Sequence, residues 1–365
     1  MLRLIFAMTL CLFAAGCTNI AYYAQATEGQ MGLMAATRPI SEVVNDPATD
    51  PVLRQQLERA IAIREFASRE LALPNNGSYR SYADLGRPFV VWNVIAAPEF
   101  SLETRQWCMI FVGCVNYRGY YDKNDADLYA GKLSRAGADT YVGGVTAYSS
   151  LGYFNDPVLN TFLRFGDTAV AQIIFHELAH QLVYVDGDTA FNESFATAVE
   201  NEGIRRWLTS SASPERLRDF EKQKERDAQF RRLVAGTRDK LRAIYVSSLA
   251  PDAKRRAKTE VFAEMKHNYT DLKASWGGDG GYDQWFKHPL NNAALGSVTL
   301  YTQWIPAFHA LLEQAGGSLP SFYQRVAELA RLPKGERSAA LDKLLPNRTA
   351  SLPIPRRTSQ RDVRG

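Results

Sequence analysis

Beyond its first sixteen residues the chain has no apolar run that approaches bilayer-spanning length, which excludes a bundle of transmembrane helices. Cysteine is scarce: four in 365 residues, at positions 11, 17, 108 and 114. Charge of one sign is lacking as well. Of a formal net +4, the last twenty residues alone hold +4, from Arg348, Arg356, Arg357, Arg361 and Arg364 against Asp362. Arg3 adds one more, so the rest of the chain sits near −1. The sequence pI of about 8.8 therefore belongs mainly to a Pro- and Arg-rich tail, which is expected to be disordered. No folded basic patch is left for nucleic acid. No internal repeat divides the chain, and an apolar fraction of 46% suits one large folded domain or two.

What is present begins with the leader. Residues 1–16 read as a bacterial export signal: Arg3 gives the basic start, Leu4 to Ala15 the apolar core, and Ala14-Ala15-Gly16 the small residues before a cleavage site. With Cys17 the segment resembles a lipoprotein box, except that Ala14 stands where leucine is usual. The resemblance implies that Cys17 is acylated and begins the mature chain. Thr18, not aspartate, follows it, so by the same resemblance the protein is expected on the outer membrane, facing the periplasm. An uncleaved anchor and ordinary secretion are the alternatives. Cys11 leaves with the leader. In an exported chain Cys108 and Cys114 are then expected to pair, which requires the segment to turn back on itself at a residue such as Gly113. Two free thiols are the alternative.

Residues 17–77 read as a helical segment, with helices over about 21–36 and 51–73 separated by a Pro- and Asp-rich break. Residues 78–210 carry strand signals at 89–95, 107–115 and 140–148, followed by two helices. Gly143-Gly144 inside the last strand allows another backbone to come close, either a peptide adding as an extra strand or a bulge. Residues 211–345 read as helical, including a hairpin broken at Pro251 and a continuous helix over about 290–314. Residues 346–365 form the basic tail. The expected class is α+β, mostly α: a small sheet, then a motif-bearing helix pair, then a helical C-terminal region.

The chemistry concentrates in Thr168 to Glu200. His176-Glu177-Leu178-Ala179-His180 is an HExxH motif, which on a helix places two imidazoles one turn apart with a carboxylate beside them. Ile173, Ile174, Phe175, Leu178, Leu182 and Val183 make that helix apolar around most of its surface, hence buried. Charges in a buried helix ask for compensation, and a metal cation supplies it. The helix is expected to begin at Asp167 as N-cap and to run about a turn past His180. An Asp186-Gly187-Asp188 turn then leads into a second helix carrying Glu193. Glu193 is the expected third ligand and Asp186 the second choice, with Val183 resisting the sharp turn that Asp186 would need. Glu200, on the face of Glu193, suits a place behind a ligand histidine.

HELAH with a downstream NESFATAVE (192–200) resembles the gluzincin peptidases. YVGGVTAYSSLGYFNDPVL (141–159), residues 162–200 and PLNNAALGSVTLY (289–301) resemble a bacterial family of aminopeptidase-like lipoproteins. The resemblance implies one Zn²⁺ held by His176, His180 and Glu193, Glu177 as general base, and a peptide as substrate. It also implies an oxyanion donor from a downstream helix, for which Tyr282, His288, Asn291, Asn292 and Tyr301 are candidates. Asn291 and Asn292 could instead cap a helix. His267 and His309 read as structural. Partners are then a peptide and, through Cys17, a membrane; no nucleic acid is expected, and the sequence does not give the oligomeric state. A periplasmic binding or scaffold lipoprotein on an inactive peptidase fold, and a zinc endopeptidase, stay open beside the aminopeptidase.

Overall fold

The computed structural model describes residues 20–109, 113–147, 149–299 and 304–345. The leader, Cys17, Tyr301 and the tail at 346–365 lie outside them. In chain order the elements are α1 (20–35), β1 (Arg38–Pro39), α2 (Ile40–Asn45), α3 (Pro51–Glu70), β2 (Ser81–Ala83), β3 (Val91–Pro98), β4 (Trp107–Met109), β5 (Gly113–Val115) and β6 (Arg118–Tyr120). There follow α4 (Lys123–Arg135), β7 (Ala138–Val145), β8 (Val158–Leu159), α5 (Asn160–Leu163), α6 (Asp167–His180) and α7 (Thr189–Ser210). The C-terminal part is α8 (Pro214–Val246), α9 (Pro251–Ser275), α10 (Asp283–Phe286), α11 (Asn292–Thr299), α12 (Ile305–Gln314), α13 (Leu319–Ala330) and α14 (Lys334–Leu344). The protein is α+β and mostly α.

The strands form three small sheets, ordered β1-β2-β8, β6-β3-β7 and β4-β5. The middle one positions the site. Its β3 pairs antiparallel with β7 from Val91↔Val145 to Pro98↔Ala138 without interruption. There is no bulge at Gly143 or Gly144. The glycines answer a different need: a Cβ on Gly144 would overlap the Phe89 ring, and one on Gly143 would come within 2.8 Å of Tyr141. Among the described residues β7 has a strand on one side only. The 107–115 segment is two strands rather than one. Cys108 faces Cys114 across β4-β5 and the two form a disulfide, with Gly113 at φ +69° in the return.

Helix α4 was not anticipated by the strand pattern of its region. Asp122 caps it by accepting from the Asn124 and Asp125 N–H groups, and Ala126, Ala130 and Leu133 cover the sheet. Of the helix expected near 290–314, α11 and α12 are described, with Pro306 in the first turn of α12, where proline is suited; residues 300–303 between them lie outside the described residues. α8 and α9 form the hairpin expected around Pro251 and bury Phe230, Leu241, Phe262 and Met265 between them.

The largest core draws on α1 to α3, α5 to α7 and α12 to α14, from Leu33 to Leu341, and takes in the apolar faces of α6 and α7. Two buried charged groups tie that core to loops. Arg337 on α14 is 4% exposed and holds Asp188, the α7 N-cap, through Nη2 at 2.7 Å and Nε at 3.0 Å. Arg337→Ala leaves Asp188 without its partner, and thermal or denaturant unfolding should report a loss of about 3–5 kcal/mol. A loss below about 1 kcal/mol would mean that the pair does not hold the turn.

Asp156, 4% exposed, is raised to about 6 by burial, against the opposing hydrogen bonds from Ser150 N–H at 2.9 Å and Ser150 Oγ at 3.0 Å. Its folded pKa lies above its unfolded one, so the folded state binds the extra proton and stability falls as pH rises from about 4 to about 6. The loss is at most about 3 kcal/mol. Asp156→Asn should therefore raise the melting temperature at pH 8 and flatten its dependence between pH 4 and 6. An unchanged pH profile would remove Asp156 as its source.

Candidate metal centre

The motif helix starts one residue differently from expectation. Gly166, at φ +83°, is the N-cap, and Asp167 is the first helical residue, its carboxylate 2.8 Å from Arg59. The helix stops at His180 instead of a turn later, with Gln181 as C-cap. The chain reverses through Gly187 at φ +74° and enters α7. Asn192 fixes this connection: its Oδ1 accepts the Val185 N–H at 2.8 Å and its Nδ2 donates to the Val185 carbonyl at 2.9 Å. Ser194 Oγ accepts the Trp304 N–H at 3.1 Å and ties α7 to the entry of α12. Glu193 stands between these two anchors.

His176, His180 and Glu193 converge. The two Nε2 atoms are 3.2 Å apart, His176 Nε2 is 3.2 Å from Glu193 Oε2, and His180 Nε2 is 3.7 Å from Glu193 Oε1. Four ligands at about 2.0–2.2 Å in a tetrahedron stand about 3.3–3.6 Å from one another, so the spacing suits a small cation. The donors suit it too. Two imidazole nitrogens cannot both donate to each other, and His180 Nδ1 is buried with no hydrogen-bond partner among the described residues. Burial lowers His180 to about 4, which keeps it neutral with a lone pair. These residues could hold a metal ion. Asp186 is not among them; it packs instead under Gly113 of the disulfide hairpin.

Glu200 stands behind His176, its Oε2 3.2 Å from Nδ1. Gln172 Nε2 donates to its Oε1 at 2.9 Å and Lys224 Nζ lies 3.3 Å away. Burial would raise this carboxyl, but Lys224 and His176 outweigh it and hold it at about 2. An ionised Glu200 keeps the His176 proton on Nδ1 and turns Nε2 towards Glu193. On His176 itself burial lowers the pKa, but Glu193 and Glu200 together raise it well above the usual imidazole value, the response of a ring between two carboxylates.

Glu177 projects into a cavity of about 200 Å³ lined also by Thr146, Ala147, Ile173 and Glu200. Burial raises it to about 7, with His176 opposing and Glu193 adding. Two tyrosines that the motif does not reveal lie within electrostatic reach of Glu193. Tyr117, after β5, is kept protonated by burial and by the charges of Glu193 and Glu177. Tyr184 sets its ring edge-on to His180 at 6.1 Å and is raised likewise by burial and Glu193.

The downstream candidates lie elsewhere. Asn291 caps α11 by accepting the Ala294 N–H at 2.9 Å and donates to the Thr140 carbonyl at 2.9 Å. Asn292 is fully buried, donates to the Pro98 and Glu99 carbonyls and accepts from Tyr245 Oη. Both join α11 to the sheet, so neither is free to donate to a substrate. Tyr282 donates to Asp227 in a separate, larger cavity. His288 stacks edge-on against Tyr141, His267 is exposed beside Asp271, and His309 lies on α12. Gly143 and Gly144 line the larger cavity rather than the metal-ligating cluster.

No curated protein and no solved structure matches the chain. Residues 21–341, which span α1 to α14 and every residue of the metal-ligating cluster, match one protein family, and the chain belongs to that family, described as "Putative aminopeptidase".

Proposed function

We propose that the protein is a zinc-dependent peptidase, and by its family an aminopeptidase, in which His176, His180 and Glu193 bind one Zn²⁺ and Glu177 is the general base. The observation that carries this reading is the convergence of three donor atoms beside a buried carboxylate that opens on a cavity. Two imidazoles and a carboxylate are a usual donor set for a zinc site that keeps one position open. Zinc bound there would acidify water and polarise a peptide carbonyl.

The chain's own groups supply the rest. A carboxylate oxygen of Glu177 takes the proton from the attacking water and passes it to the departing amine nitrogen as the C–N bond breaks. A carboxyl already raised to about 7 gives up that proton readily near neutrality. Glu200 holds His176 at Nδ1 throughout. Tyr117 and Tyr184 keep their protons within electrostatic reach of Glu193, which makes them the candidates for donation to the substrate oxygen as it becomes negative. Apart from the Thr140 carbonyl, which Asn291 occupies, the side of β7 that carries no strand offers backbone groups to an extended peptide. The resemblance of residues 1–17 to a lipoprotein signal supports, on this reading, a lipid anchor at Cys17 on the periplasmic face of the outer membrane.

The test is metal analysis of the purified chain followed by hydrolysis of matched peptides with free and blocked amino termini. About one zinc per chain and cleavage of the free-amine set support the reading. Cleavage of blocked peptides alone makes the enzyme an endopeptidase, and a metal-free, inert chain makes it a binding lipoprotein. Loss of the membrane fraction in Cys17→Ser checks the anchor.

A further inference from the structure

A second cavity, of about 500 Å³, opens beside the metal-ligating cluster and has no part in the chemistry above. It is joined to that cluster by two elements. β7 lines it with Tyr141, Gly143, Gly144 and Val145, and the next two residues, Thr146 and Ala147, line the cavity of Glu177. On α8, Lys224 reaches Glu200 behind His176, and Asp227, Phe230 and Arg231 face the larger cavity. From Lys224 to Arg231 is two helical turns, about 10 Å. β7 ends at Val145 and the chain bends at Thr146, so the three residues from Ala147 back to Gly144 span at most about 10 Å. Each of the two elements thus has residues at both places.

The walls are aromatic and pre-set. Phe230 stacks on Tyr282 with ring centroids 3.8 Å apart, and Trp285 closes edge-on against Phe230 at 5.5 Å. The charge in the cavity is uneven. Asp227 already accepts from Tyr282 Oη and Gln223 Nε2, and its other oxygen is 3.9 Å from Lys224 Nζ. Arg231, one turn further along α8, lines the cavity and makes no hydrogen bond or ion pair among the described residues. Asp227 also lines the cavity but is taken up by Tyr282 and Gln223, so the Arg231 guanidinium, with no ion pair among the described residues, is complementary to a further carboxylate.

We propose that this cavity is a substrate subsite in which Arg231 binds a carboxylate carried by the peptide about three residues from the bond that is cut. The inference rests on the peptidase reading above and adds a substrate preference to it. An extended peptide along the free side of β7 advances about 3.3 Å per residue, which sets the distance of about three residues. The carboxylate is either the C-terminus of a short peptide or an acidic side chain. Both present the same group to Arg231.

Binding tests it without turnover. Zinc-loaded full-length Glu177→Gln protein is titrated with fluorescein-labelled peptides in matched pairs: free C-terminus against C-terminal amide, and internal Glu against Gln. One pair should bind about tenfold more tightly in its carboxylate form, and that pair names the source. Arg231→Gln, introduced into the same protein, should abolish the difference, and Arg231→Lys should keep part of it. In the enzyme with Glu177 intact, Arg231→Gln should raise KM for the preferred peptide and leave kcat unchanged. A difference that survives Arg231→Gln, no difference in either pair, or tightest binding by a lysine-bearing peptide overturns the proposal. If peptides are still hydrolysed in those cases, the peptidase reading stands without it. If none is bound or cut, both fall.

Discussion

Glu177→Gln is expected to lower kcat by about a thousandfold while the protein keeps its metal and its fold. The substitution preserves shape and removes only the ability to take a proton. Glu177 is not one of the converging donors, so zinc content should equal that of the unaltered chain. Nor should stability suffer. Burial already penalises the ionised carboxylate, as its rise to about 7 shows, and a neutral amide in its place removes that penalty. The melting temperature should therefore hold or increase. Loss of activity with full metal and an unchanged melting temperature separates proton transfer from every structural role. A variant that hydrolyses peptides at the rate of the unaltered enzyme sinks Glu177 as the base.

What could be read from the sequence follows physical range. His176, Glu177 and His180 lie within one helical turn, so their relation is fixed by backbone geometry alone. Glu193 and Glu200 are two turns apart on α7, and a short turn between two helices limits where they can face. Tyr117, Tyr184 and Lys224 were not legible. Tyr117 lies within electrostatic reach of Glu193 and Glu177 from a distant part of the chain, and Lys224 reaches Glu200 because α8 packs on α7; neither relation leaves a local signal. Asn291 and Asn292 mislead for a related reason. Two adjacent amides look like donors awaiting a substrate, whereas their partners are backbone carbonyls of β7 and the β3 end, some 150 to 190 residues away. Helix α4 hides behind a polar first turn, Lys123 to Asp127, that resembles a loop until Asp122 is recognised as its cap.

Glu193→Ala is expected to abolish stoichiometric zinc binding, and it separates the ligand from the residues around it. The centre keeps His176 and His180 without Glu193, and two imidazoles alone lose the third donor that a zinc site with an open position requires. Affinity should fall by more than the ten- to hundredfold typical of a group that only orients a ligand. Glu200→Ala supplies that comparison in the same molecule, because Glu200 touches Nδ1 of His176 and not the side that faces Glu193. Metal analysis after equilibration with a competing chelator should rank the proteins: Glu177→Gln equal to the unaltered chain, Glu200→Ala intermediate, Glu193→Ala empty. Folding is not the confounder, since Asn192 and Ser194, the flanking residues, hold the α6–α7 connection and the α12 entry without help from the Glu193 side chain. A Glu193→Ala protein that still carries one zinc per chain would remove Glu193 from the ligand set and return the third position to Asp186, at the cost of moving the turn on which Gly113 rests.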